Sequence, residues 1–307
     1  MITRFAPSPT GHLHLGHLVN AIYVWRLARR AGGQVRLRIE DHDRERSKPE
    51  FERSILDDLE WLGYLPDLPS ISAFRAGSCE GRQSDHPERY DDALARLIAA
   101  GRVYGCSCSR AEIIKRTEGS APAAPRGAPR AHTRGGLRPD GRRGAQPAAA
   151  GETEELRYDG FCSTRGLPPG SGVGTRVRLD PGVVTFDDGM LGPQQQEPNT
   201  QCGDLLVRDR LGHWTYQFAV TVDDLVEGIT DVIRGRDLLA STGRQIQLAR
   251  LLGRTTPPTF LHHPLILGAD GQKLSKSLGD TSLRELRAAG LSPADVIARA
   301  QAAVGSP

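Results

Sequence analysis

The chain has 307 residues, 38% hydrophobic and 25% charged, with a formal net charge of +3. Its length calls for one large core with an insertion, or for two domains, and so small a net charge neither demands nor excludes a nucleic-acid partner. No run of about 18 apolar residues occurs and MITRFAPSPT lacks the apolar core of a secretion signal, so no membrane span and no export are expected. Five cysteines are an odd count, which argues against a disulfide framework and for a reducing, cytoplasmic setting.

MITRFAP reads as a short strand. HLVNAIYVWRLARRAG places apolar residues at helical spacing and stops at Gly32–Gly33, a C-cap signal. QVRLRIE alternates and reads as a second strand. KPEFERSILDDLEWLG carries Pro49 near its first turn and reads as a second helix. Strand, helix, strand, helix predicts a parallel βαβ unit. From about Ala73 to Cys202 the pattern is mixed. Within it, 21 of the 33 residues from Gly119 to Gly151 are Gly, Pro or Ala, and six are Arg. Such a stretch cannot bury enough apolar area to offset its ordering entropy, so a disordered basic insertion over 117–151 is expected. It is either a solvated loop with no task or a loose RNA-attracting arm. WTYQFAVTVDDL, GITDVIRG, STGRQIQLARLLG and TFLHHPLIL then restore the α/β alternation.

The expected architecture is α/β: a Rossmann-like parallel sheet with helices on both faces, interrupted by an inserted subdomain. Residues 1–72 and 203–285 form the two catalytic halves, 73–202 the insertion, and 286–307 a short helical tail.

Two segments carry chemistry. RFAPSPTGHLHLGH joins the first strand to the first helix, where ligands of an open parallel sheet bind. Pro7 and Pro9 stiffen that turn. Gly11 and Gly16 permit close backbone approach, and the helix start favours an anion. His14 and His17, as H-x-G-H, can stabilise charge developing on a phosphate. Alone they also fit an ordinary satisfied surface pair. Far downstream, Lys273 and Lys276 in GQKLSKSLG give a loop with two cations suited to phosphate, or an ordinary solvated loop. No Walker A pattern occurs, and GSGVGT falls short of a dinucleotide fingerprint. Cys106 and Cys108 form C-x-C, and Tyr158-x3-Cys162 follows. By spacing alone this is a weak metal signal, and buried free thiols are the competing assignment. Cys79 and Cys202 have no assigned role.

PSPTGHLHLGH and KLSKS, in this order around an insertion, resemble the signatures of class I aminoacyl-tRNA synthetases. LRIEDHD, YGCSCSR and HHPLILGADGQKLSKS are similar to the glutamate branch. The resemblance implies ATP at His14, Gly16, His17 and Lys276, catalysis by His14, His17, Lys273 and Lys276, and Mg²⁺ neutralising further phosphate charge. It implies an L-glutamate pocket of Arg4, Phe5, Ala6, Pro7, Ser8, Glu40, Tyr216 and Arg234. Arg4, Tyr216 and Arg234 would hold the γ-carboxylate, and Glu40 would receive the α-ammonium. It also implies a structural Zn²⁺ on Cys106, Cys108, Tyr158 and Cys162. Only 30 residues follow Ser277, whereas ordinary members of this branch continue into a long anticodon-binding region. That length resembles the short paralogue that esterifies glutamate onto queuosine at the wobble position of tRNA(Asp), working as a monomer. A shortened glutamyl-tRNA synthetase, a small-molecule adenylyltransferase and a non-catalytic RNA-binding paralogue are the alternatives.

Overall fold

The computed structural model describes residues 1–119, 156–266 and 281–304. Most of the basic segment 117–151, together with Lys273 and Lys276, lies outside the described residues.

The first two strands, β1 (Ile2–Phe5) and β2 (Gln34–Leu37), pair in parallel, with Ile2 opposite Gln34. Between them runs α1 (Leu15–Arg30), whose last turn is basic and is followed by Gly32 at φ 59°. Next come α2 (Pro49–Leu62), α3 (Ile71–Ala76) and α4 (Glu88–Ala99). Pro49 opens α2 because the first helical residue needs no amide donor, and Gly63 closes it in the left-handed region.

The central part contains β3 (Val103–Cys106), α5 (Arg110–Gly119), β4 (Gly174–Val177), β5 (Val184–Asp188), β6 (Gly192–Gln196), α6 (Pro198–Cys202) and β7 (Leu205–Arg208). The chain then runs through α7 (Tyr216–Val226), β8 (Asp231–Gly235), α8 (Thr242–Leu251), β9 (Thr259–His263), α9 (Leu283–Ala288) and α10 (Pro293–Val304).

Strand β8 pairs in parallel with β9, and β9 with β5. The β1–β2 pair adjoins β8 at one end: the Thr230 amide donates to the Ile2 carbonyl at 2.9 Å. The sheet is not purely parallel. β6 returns antiparallel to β5, and β3, β4 and β7 form a separate antiparallel sheet. Antiparallel neighbours need only a tight turn, which Gly192 at φ 71° supplies between β5 and β6. A parallel pair would require a crossover that the intervening residues are too few to make.

Successive residues of β8 face opposite sides. Ile233 joins the core formed by β1, β2, α1, α2, α9 and α10, whereas Val232 packs with Val184, Ile246 and Phe260. A third core under α4, α7 and α8 supports the antiparallel sheet. The segment from Leu283 onward is part of the first core. Leu283 is fully buried there, and its amide donates to the Leu13 carbonyl at 2.8 Å.

Candidate active site

The turn after β1, the start of α1, the end of β2, the start of α7 and the ends of β8 and β9 surround one cleft of about 480 Å³. Its walls include Arg4, Phe5, Ala6, Pro7, His14, Gly16, His17, Glu40, Tyr216 and Arg234. Ser8 stands behind this wall, where its hydroxyl donates to the Glu40 carbonyl at 2.9 Å. The Glu40 amide in turn donates to the Pro7 carbonyl, so the turn and the end of β2 are tied together.

The helix start is held by its own histidines. His14 is the N-cap of α1, and its Nδ1 accepts from the Gly16 amide at 3.0 Å. The His14 amide donates to Nδ1 of His17 at 3.2 Å, which completes a reciprocal capping box. Both rings therefore use Nδ1 as acceptor, and each neutral ring carries its proton on Nε2. The ring centroids are 3.9 Å apart. Gly16 is required by this arrangement, because a Cβ there would lie 2.9 Å from Cε1 of His14.

The opposite end of the cleft is strongly charged. Arg4, 4% exposed, donates through Nε to Asp224 at 2.9 Å. Arg38 donates to Asp224 at 2.8 Å, to Glu227 at 2.9 Å and to Glu40 at 3.2 Å. Burial opposes the charge on Arg38, but Glu227, Asp224 and Glu40 outweigh it and raise its pKa. Burial would also raise the Asp224 carboxyl; Arg4 and Arg38 outweigh it and hold it below its usual range. For Glu40 burial wins, and its carboxyl is pushed up despite Arg38. An ammonium group in the cleft would draw it back down.

Arg234 is buried at the end of β8. Its Nε donates to Nε2 of His262 at 3.0 Å, Nη1 to Oε1 of Gln245 at 2.7 Å, and Nη2 to Oγ1 of Thr242 at 2.8 Å. Tyr216 is within hydrogen-bonding reach. Burial lowers the Arg234 pKa, and the nearby Arg4 charge lowers it further. Two guanidiniums close enough to repel each other, with a carboxylate and a phenol beside them, have the chemistry to receive a ligand carrying both a carboxylate and an ammonium.

Sequence reasoning missed Arg38, Asp224, Asp188, His262 and Gln245. A weak signal existed for one of them: in QVRLRIE, Arg38 and Glu40 are two residues apart and so share a strand face.

Away from the cleft, the Sγ atoms of Cys106, Cys108 and Cys162 lie within 4.8 Å of one another. Cys108 and Cys162 are 3.5 Å apart, and Cys106 Sγ is 3.5 Å from the Tyr158 hydroxyl. With Zn–S bonds of about 2.3 Å and a Zn–O bond near 2.0 Å, a tetrahedral ion would hold two sulfurs roughly 3.8 Å apart, and a sulfur and an oxygen roughly 3.5 Å apart. The three sulfurs could hold a metal ion, and the Tyr158 hydroxyl lies at a compatible distance from Cys106. Burial pushes the Cys162 thiol up, yet hydrogen bonds from the Ser107 backbone and from Cys108 and Tyr158 outweigh it and bring it down to about 7. Arg116 donates to Cys108 Sγ at 3.2 Å, but burial and the Cys162 contact outweigh it and push the Cys108 thiol up to about 11.

Residues 1–136 and 168–299 match the family described as tRNA synthetases class I (E and Q), catalytic domain, and the chain belongs to that family of ATP-dependent ligases. It is 42% identical to the Glutamyl-Q tRNA(Asp) synthetase of Symbiobacterium thermophilum, over 96% of this chain and 83% of that protein. It is 39% identical to the protein of the same name from Rhodobacter capsulatus, over 96% of this chain and 98% of that protein. Glutamate–tRNA ligase 1 of Novosphingobium aromaticivorans is 38% identical, and there the match covers 97% of this chain but 59% of the ligase. Among solved structures, a glutamate tRNA ligase from Elizabethkingia meningosepticum in complex with its amino acid superimposes with a TM-score of 0.68 at 27% identity. That match covers 91% of this chain and 52% of the ligase, so the chain spans about half of the solved enzyme.

Proposed function

We propose that this chain activates L-glutamate with ATP and transfers it to the queuosine at the wobble position of tRNA(Asp). The observation that carries the reading is the pairing of two buried arginines, Arg4 and Arg234, with Glu40 in one cleft whose far wall is the His14–His17 helix start. An amino acid with a side-chain carboxylate fits the first end. A nucleotide phosphate fits the second, because the N-terminus of α1 and two imidazoles carrying protons on Nε2 present donors to an anion.

The chemistry follows from that layout. The α-carboxylate of glutamate attacks the α-phosphorus of ATP, forming a P–O bond as pyrophosphate leaves. Glu40 and the arginines hold glutamate so that this carboxylate faces the helix start. His14 and His17 stabilise charge on the phosphates, and the KLSKS signature assigns Lys273 and Lys276 to the same task. Mg²⁺ would neutralise further phosphate charge when bound. A hydroxyl of the acceptor then attacks the carbonyl of the mixed anhydride, and AMP leaves. Little covalent help is needed, so positioning and electrostatics supply most of the rate.

The choice of acceptor is supported by relatives named Glutamyl-Q tRNA(Asp) synthetase at up to 42% identity, which this chain matches over most of their length. Zn²⁺ on Cys106, Cys108, Tyr158 and Cys162 belongs to the same proposal as a structural ion that joins β3 to the segment beyond the basic insertion. Its support is the sulfur geometry. The test of activation is ATP–pyrophosphate exchange with glutamate in the absence of tRNA. Exchange with glutamate is expected; none with any amino acid would contradict the reading.

A further inference from the structure

The two arginines of the cleft are held in different ways. Arg4 donates to a carboxylate, Asp224, which Arg38 also shares. The hydrogen-bond acceptors around Arg234 are neutral: the His262 ring, the Gln245 amide and the Thr242 hydroxyl, with the Tyr216 phenol in reach. The His262 contact needs a mechanism, because a histidine can also be a donor. Nδ1 of His262 lies 2.5 Å from Oδ2 of Asp188, and both side chains are fully buried. Asp188 is ionised: burial would raise its carboxyl, but the bonds from His262 and from the Met190 and Leu191 amides outweigh it and lower its pKa. An ionised carboxylate can only accept, so it fixes the proton on Nδ1. Nε2 is then a lone pair facing the Nε–H of Arg234. A second proton on this ring would set two donors against each other. Burial and the Arg234 charge bring the His262 pKa down to about 4, which keeps that proton away.

We infer that His262, Gln245 and Thr242, with His262 held in its tautomer by Asp188, form a cradle of neutral acceptors that fixes the Arg234 guanidinium without placing a carboxylate on it, and that this cradle sets the preference for a side-chain carboxylate over its amide. The inference rests on the assignment of the cleft to glutamate. Its physical basis is a difference of affinities. A carboxylate ligand meets an arginine whose charge no protein carboxylate contacts, whereas an amide ligand leaves that buried charge without a counter-ion. Moving a carboxylate into the cradle would supply the counter-ion from the protein and remove the difference. Gln245 is the place to do it. It is buried, its Oε1 already contacts Nη1, and glutamate has its shape. Its Nε2 donates to Gln217 at 2.8 Å, and the Gln217 amide can reverse to donate in return.

These are positioning residues, so the readout is selectivity and not activity alone. Exchange kinetics with glutamate and with glutamine would be measured for the wild type, Gln245→Glu, His262→Gln and Asp188→Asn, with circular dichroism and melting temperature for each. In Gln245→Glu the glutamate-to-glutamine ratio of kcat/KM should fall by about tenfold or more, with the KM for ATP unchanged. His262→Gln keeps a neutral acceptor and should raise the glutamate KM while largely preserving the ratio. Asp188→Asn frees the His262 tautomer and should raise the glutamate KM with little change in the ATP KM. Should Gln245→Glu fail to fold, Thr242→Asp places a carboxylate on Nη2 and carries the same expectation. A folded carboxylate variant that keeps the wild-type ratio overturns the inference while glutamate activation stands. Wild-type exchange with no amino acid, or equally with both, overturns the assignment of the cleft and the inference with it.

Discussion

At Gly16 a single hydrogen atom decides the geometry of the phosphate end. The His14 ring folds over it to cap α1, and a methyl group would push that ring away. Gly16→Ala should therefore lower exchange activity with the fold intact. His17→Ala should cost about 2.7–4 kcal/mol in transition-state stabilisation, on the scale of a lost oxyanion-hole donor. Steady-state exchange with circular dichroism as the fold control checks both; wild-type rates in both variants would remove the histidines from the reaction. Asp58 offers a stability test away from the cleft. It is 2% exposed, its Oδ2 has no hydrogen-bond partner among the described residues, and burial pushes its carboxyl up to about 7. A folded pKa above the unfolded value means that the native state binds this proton more tightly. The contribution of Asp58 to stability thus declines as pH rises from about 4 to 7. Asp58→Asn should melt higher than the wild type, with a wider gap at pH 8 than at pH 5, and an equal gap at both would show an ordinary carboxylate. Arg4, His14, His17 and Glu40 were legible because each lies in a compact local pattern. Asp224 and Asp188 were not, because their partners Arg38 and His262 lie 186 and 74 residues away in the chain. Only the fold brings such charges together.

The elements most readable in advance are those whose apolar spacing and end signals agree. In α1 the helical spacing ends at Gly32, and in α2 Pro49 and Gly63 mark both ends. The antiparallel β3–β4–β7 sheet was not legible, since four-residue strands separated by a long basic insertion give no period to count. The sequence predicts a short helical tail over 286–307, and nothing in LRELRAAG announces that this segment packs under the signature turn. Yet Leu283, Leu286, Val296 and Ala300 belong to the same core as Phe5, Leu13 and α1. Leu283→Ala should destabilise the protein by about 2–5 kcal/mol, the usual range for a buried leucine. It should also weaken exchange in the folded fraction, because the Leu283 side chain belongs to the core that carries Leu13, next to the N-cap histidine. Urea melts with parallel kinetics check this, and a stable, fully active variant would uncouple α9 from the cleft. At the sulfur cluster, purified protein should carry about one zinc, lost in a Cys106→Ser, Cys108→Ser double variant along with melting temperature. Metal-free protein with full stability would identify ordinary buried thiols instead.

Across the whole molecule, two α/β blocks meet where β1 adjoins β8, and the cleft opens at the ends of these strands. This is the expected location for a ligand in an open α/β sheet, and it explains why a turn at the start of the chain and a strand some 230 residues later supply one pocket. Among the described residues no helix is long and apolar enough to cross a membrane. Charge is uneven over the chain: Arg110 to Gly151 holds nine Arg or Lys against three Asp or Glu, although the net charge of the whole is only +3. Phosphate contacts with an RNA partner must come from local patches, and binding should weaken steeply as salt is raised. A wobble nucleoside is unpaired in its loop, so it can be splayed into a cleft and read on its edges, unlike a base within a duplex. The most direct test is transfer of labelled glutamate to purified tRNA, followed by nuclease mapping of the label. We expect tRNA(Asp) carrying queuosine to accept glutamate on its anticodon-loop fragment, and unmodified tRNA(Asp) and tRNA(Glu) transcripts to remain uncharged. Efficient labelling of the tRNA(Glu) transcript at its 3′ end, with none on the queuosine-containing fragment, would contradict it.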